Sequence, residues 1–104
     1  MGAAASNAQV TESVLQAARQ AAANDLAAAE SYVRDLGAVL ERAEVLEGHP
    51  GDVIVDYATA GGFDLVAMGT HGRTGLRRTI MGSVAEHVVR HLRGIPVLLI
   101  HPAG

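Results

Sequence analysis

The sequence predicts an α/β fold built on a parallel sheet, and three patterns predict it. Apolar residues recur at helical spacing through the first third of the chain. Two short apolar runs, DLVAM (64–68) and PVLLI (96–100), are bounded by turn residues, as buried parallel strands are. Segments of helical spacing alternate with such runs, giving the order α-β-α-β-loop-α-β and hence right-handed crossovers. The 104 residues fit a single domain, residues 1–104, with a long helix over about 7–37 and a β-α-β-loop-α-β core over about 38–101.

The first helix rests on Val10, Val14, Ala18, Ala22, Leu26, Ala29, Val33 and Leu36, one face of an α-helix. Ser6 or Asn7 is the expected cap and Gly37 the expected stop. Some 30 residues of helix measure roughly 45 Å, longer than a small domain is wide. Its N-terminal turns are therefore expected to overhang, fray or pack on a partner chain. AVLERAEVLE (38–47) alternates roughly and reads as a strand. Gly48-His49-Pro50 makes a turn, with Pro near the start of a second helix over about 51–60. That helix presents Val53, Ile54, Tyr57 and Ala58 inward, and Gly61-Gly62 stops it. After DLVAM comes a glycine-rich loop. Residues 83–93 return to helical spacing through Val84, Val88 and Leu92, and PVLLI is the last strand.

Composition excludes several functions. With no cysteine there is neither a disulfide scaffold nor a thiolate zinc site. MGAAASNAQV lacks the basic and apolar regions of a secretory signal, and no stretch has the length of a membrane span. The cytoplasm is the expected compartment. The net charge of -3 divides unevenly: residues 1–60 carry three Arg against nine acids (-6), and residues 61–104 five Arg against two acids (+3). This balance argues against a nucleic-acid surface.

The segment that carries chemistry runs from Gly69-Thr70-His71-Gly72-Arg73-Thr74-Gly75 to Gly82-Ser83. It leaves the C-terminal end of a strand and ends at a helix N-terminus, the edge at which open parallel sheets bind ligands. Glycines let backbone N–H groups approach phosphate oxygens, and the next helix adds unpaired donors and partial positive charge. The Ser83 hydroxyl is a further donor, and Arg73, Arg77 and Arg78 bias the field toward anions. It is not a Walker A loop, because there is no lysine, nor a G-x-G-x-x-G fingerprint.

DLVAMGTHGRTGLRRTIMGSVAEHVVRHLRGIPVLLI closely resembles the universal stress protein family, whose ATP-binding members carry G-x2-G-x9-G-[ST] after the fourth strand. Gly69, Gly72, Gly82 and Ser83 match that spacing. Gly48-His49-Pro50 and DVIVDYA resemble the lead into the family's third helix. The match is close over 38–101 and loose over 7–37. It implies a three-layer, adenine-nucleotide-hydrolase-like (Rossmann-like) parallel sheet, here a C-terminal part with the N-terminal strand–helix–strand missing. That missing part would hold the base and ribose. It also holds two central strands of the family's 3-2-1-4-5 order, so the strand over 38–47 would slide beside DLVAM, a partner chain would complete the sheet, or the sequence would be a fragment of a longer product, the first two being favoured.

The resemblance further implies a nucleotide-binding module of the stress response that acts by ligand-dependent assembly. ATP, with or without Mg2+, would be held by Gly69, Thr70, His71, Gly72, Arg73, Gly82, Ser83 and Val84. A homodimer would form through Val97, Leu98, Leu99 and Ile100, an apolar edge of the kind that invites pairing. The alternative is a degenerate member that binds no nucleotide and serves as a dimerising interaction module. No catalytic pattern stands out, so at most weak ATP hydrolysis is expected.

Plainer readings stand beside these. Ser83 and Glu86 form S-x-x-E, a capping box. Arg90 and Arg93 suit a helix C-terminus. His87 and His91 lie four apart without an evident third metal ligand, and His49 and His101 read as surface residues.

Overall fold

A computed structural model describes residues 3–70 and 81–101, which fall into two compact units that divide between residues 45 and 46.

In the first unit, α1 runs Ala3–Asp35, so Ser6 and Asn7 lie inside the helix and do not cap it. Its end is the one expected. Gly37, at φ 93°, donates to Arg34 C=O (2.9 Å) while Ala38 N–H reaches Val33 C=O (3.2 Å), the paired bonds of a Schellman turn. Ala22, Leu26 and Val33 on the apolar stripe are half-buried, whereas Val10 and Val14 are each 61% exposed. An i,i+4 pair at 3.2 Å joins the half-buried Glu30 to the exposed Arg34.

Residues 38–47, expected as a strand, form none. The physical reason is the lack of a ladder. Their alternation is too loose to bury a face, Val39 is 92% exposed, and the described sheet consists of two other strands paired with each other. The expected three-stranded sheet is thus two-stranded among the described residues.

In the second unit, α2 spans Pro50–Gly61, with Pro50 in its first turn, where a missing N–H costs nothing. Gly62, at φ 64°, turns the chain out of the helix. Strands β1 (Val66–Gly69) and β2 (Val97–Ile100) run parallel, with Val66 opposite Val97 and Gly69 opposite Ile100. Bonds from Val66 N–H to Pro96 C=O (3.0 Å) and Thr70 N–H to Ile100 C=O (3.1 Å) extend the ladder at both ends. Helix α3 spans Ser83–His91. The α/β class and parallel pairing are as expected.

Helices α2 and α3 pack together, with Ala58, Val88 and Leu92 buried at the centre and Val66, Met68 and Val97 of the sheet closing against them. The strands are expected to be buried on both faces; among the described residues Val66, Met68, Val97 and Leu99 are half-buried and Ala67, Leu98 and Ile100 are exposed. Among the described residues no helix is long and apolar enough to cross a membrane.

Val88 is fully buried and its neighbour Val89 is 43% exposed. Val88→Ala is expected to lower unfolding free energy in urea by about 2 kcal/mol, lost transfer plus cavity. Val89→Ala is expected to cost under about 0.5 kcal/mol.

Candidate functional site

The site begins where β1 ends. Thr70 is 1% exposed and fixed on three sides. Its N–H continues the ladder to Ile100, its hydroxyl lies 3.3 Å from His101 Nδ1, and its C=O accepts the Gly82 N–H at 2.6 Å. Both ends of the glycine segment are therefore tied together at the mouth of the sheet. His71, Gly72, Arg73, Gly75, Arg77 and Arg78 lie outside the described residues.

Gly82, extended at φ −64° and ψ 157°, is the N-cap of α3, without a side-chain cap bond. The first helical bond runs from Glu86 N–H to Gly82 C=O (3.0 Å). Ser83 is thus the first residue of the helix and not its cap, and the expected Ser83–Glu86 capping box does not form. The bond pinning Gly82 N–H to Thr70 sets this frame one residue early. Two of the amides expected to cradle phosphate, Thr70 and Gly82, are already engaged by backbone acceptors. The amides of Ser83, Val84 and Ala85, in the first turn, have no acceptor within the helix. With the exposed Ser83 hydroxyl and the positive end of the helix dipole, they make the anion-favouring part of the site.

The start of α2 opens on the same space. His49, Pro50, Gly51 and Asp52 line a groove of about 320 Å³ together with Ser83, Val84 and His87. The helices can approach because residue 51 is glycine: a Cβ there would lie 2.6 Å from the His87 ring. His87 Nε2 meets Asp52 Oδ1 at 2.9 Å, and the His91 ring stacks on His87 with centroids 4.1 Å apart. His91 Nδ1 lies 2.8 Å from His87 C=O; a carbonyl only accepts, so that nitrogen carries the hydrogen. Ser83, His87 and Asp52 share the groove, but among the described residues no hydrogen bond joins Ser83 to His87. Nor, among them, do three His, Cys, Asp or Glu side chains come together to hold a metal.

His49 and His101 are exposed, as expected; the sequence reading missed Asp52, and that His49 lines the groove and His101 faces Thr70. The Asp52–His87 contact spans 35 positions (87 minus 52), and no local pattern announces it. Arg93 does as expected at a helix end, donating to Arg90 C=O at 3.1 Å. Of the proposed edge, Val97 and Leu99 are half-buried and Leu98 and Ile100 exposed; β2 pairs with β1 on one side, and among the described residues no strand pairs its other side.

Comparison with known proteins gives one answer. A model of the universal stress protein family matches residues 2–101, so the match extends through α1 and beyond the glycine segment. Universal stress protein MJ0531 of Methanocaldococcus jannaschii is 47% identical over 57 residues, covering 55% of this chain and 33% of that one. Universal stress protein Slr1230 of Synechocystis sp. is 40% identical over 79 residues, 76% of this chain and 26% of that one. The solved structure of MJ0577 superposes with a TM-score of 0.79 at 26% identity, covering 95% of this chain and 67% of that one. The chain spans about a third or less of the length of these two curated relatives.

The latch at Thr70 can be tested on stability alone. Thr70→Val keeps the shape and removes the hydroxyl facing His101, and is expected to cost about 1 kcal/mol in urea unfolding. The exposed Thr59→Val is expected to change it by less than about 0.5 kcal/mol.

Proposed function

This chain belongs to the universal stress protein family, and from that premise we propose that it binds an adenine nucleotide, ATP with or without Mg2+, by its phosphates. It acts in the stress response by ligand-dependent assembly and not by turnover. The observation that carries this reading is the first turn of α3. Directly after a glycine pinned to the strand end, Ser83 and Val84 offer amides without a helical acceptor at the rim of an open groove.

The residues divide the work. Thr70 and Gly82 frame the site, since their own amides are spent on the frame. Gly69 brings β1 to it without a side chain. Ser83 and Val84 hold phosphate oxygens; His71, Gly72 and Arg73, also assigned to the phosphates, lie outside the described residues. Residues 1–104 serve as one domain in the cytoplasm. Val97 to Ile100 join two copies, an assignment supported by the side of β2 that no described strand pairs and by the exposed Leu98 and Ile100.

A second reading has its own support. Asp52 places a carboxylate in the groove beside the proposed phosphate site, and like charges repel. A member that binds no nucleotide, working as a dimerising module, would tolerate that carboxylate without compensation.

Titration calorimetry separates the two. The wild type is expected to bind ATP with saturable heat and to release no phosphate above blank. Ser83→Ala removes only the hydroxyl and is expected to weaken binding about threefold to tenfold. Ser83→Pro also removes the amide, yet proline suits the first helical position and Gly82 already has the extended backbone that precedes proline. That variant is expected to fold and to lose binding. Absence of heat from the wild type at millimolar ATP selects the second reading.

A further inference from the structure

The groove pairs a carboxylate with an imidazole where an anion is proposed to sit, and its charge depends on that pair. Asp52, ionised, can only accept, so His87 Nε2 carries the hydrogen and donates at 2.9 Å. When His87 is neutral, the pair presents the groove with the net negative charge of Asp52. When His87 is protonated, the pair is neutral. Ser83 lies four residues before His87 on α3, hence on the same helix face, and Ser83, Val84 and His87 line one groove. Its place is fixed from three directions: by Asp52, by the backbone of Gly51 beneath it and by the stacked His91 ring.

Resting on the proposed phosphate site, we propose that His87, oriented by Asp52, supplies the positive charge for the oxyanion bound at the first turn of α3, so that binding takes up a proton and tightens as pH falls. Other charged groups around the ring are His91 on the same helix, His49 across the groove, and Glu86 and Arg90, which pair with each other at 4.0 Å. None of them replaces the His87–Asp52 contact. The device discriminates by ligand charge: a phosphate chain gains from it, and an uncharged nucleoside does not.

The test is calorimetry with ATP and with adenosine between pH 6 and 8, in two buffers of different ionisation heat, on the intact chain. ATP itself protonates in this range, so the difference between wild type and His87→Gln is the readout. ATP is expected to bind wild type about fivefold more tightly than His87→Gln at pH 6, the scale of one partly exposed charged hydrogen bond. The two are expected to converge at pH 8, with less proton uptake in the variant. Asp52→Asn, which keeps the fold contact and removes the charge, is expected to bind ATP more tightly than wild type at pH 8. Adenosine binding is expected to be the same in all three. Parallel pH curves and equal proton uptake for wild type and His87→Gln would overturn the role of His87 while leaving the nucleotide reading intact. Absence of wild-type ATP binding at every pH would overturn both.

Discussion

The hydrogen bond from Gly82 N–H to Thr70 C=O, 2.6 Å long, is the constraint on which the site depends. Thr70 is the last residue held by the strand ladder, and Gly82 is the last before the helix. Joining them ties the strand end to the helix start and fixes the residue at which α3 begins. One residue's difference matters. Had α3 begun after Ser83, its hydroxyl would have been spent on the helix's own amides. Because it begins after Gly82, serine and valine amides point out of the first turn with nothing of the helix to receive them.

The second element of the account is the close approach of two helix starts. Only glycine at position 51 leaves room for the His87 ring, and that approach brings Asp52 within hydrogen-bond distance of it. Asp52 also lies in the first turn of α2, where a negative charge complements the helix dipole. One carboxylate therefore suits α2 locally and opposes an anion at α3, and the imidazole reconciles the two. Among the described residues, the buried apolar side chains are Ala58, Ala85, Val88 and Leu92.

Much of this was legible in the sequence, and the failures have physical causes. The helices were read from periodicity and from their stops, Gly37 and Gly62, because a turn residue imposes its conformation locally. The apolar runs at 64–68 and 96–100 became β1 and β2 within two residues at their ends. Residues 38–47 were misread because β-structure is a property of pairs: a segment of fair propensity without a partner is only an extended chain. The capping box at Ser83 was misread for a related reason, since the bond that sets the start of α3 comes from Thr70, 12 residues earlier (82 minus 70). The Asp52–His87 pair was invisible for the same cause. What local chemistry dictates could be read; what long-range contacts dictate could not.

The central claim is that the first-turn amides of α3, and not the framing amides of Thr70 and Gly82, receive the phosphate oxygens. A 1H–15N NMR titration of the labelled chain with ATP tests it most directly. The account predicts saturable downfield shifts of the Ser83 and Val84 amides, with the Thr70 and Gly82 amides protected from exchange before and after addition. Unmoved Ser83 and Val84 resonances, with the largest shifts elsewhere or none at all, would contradict it.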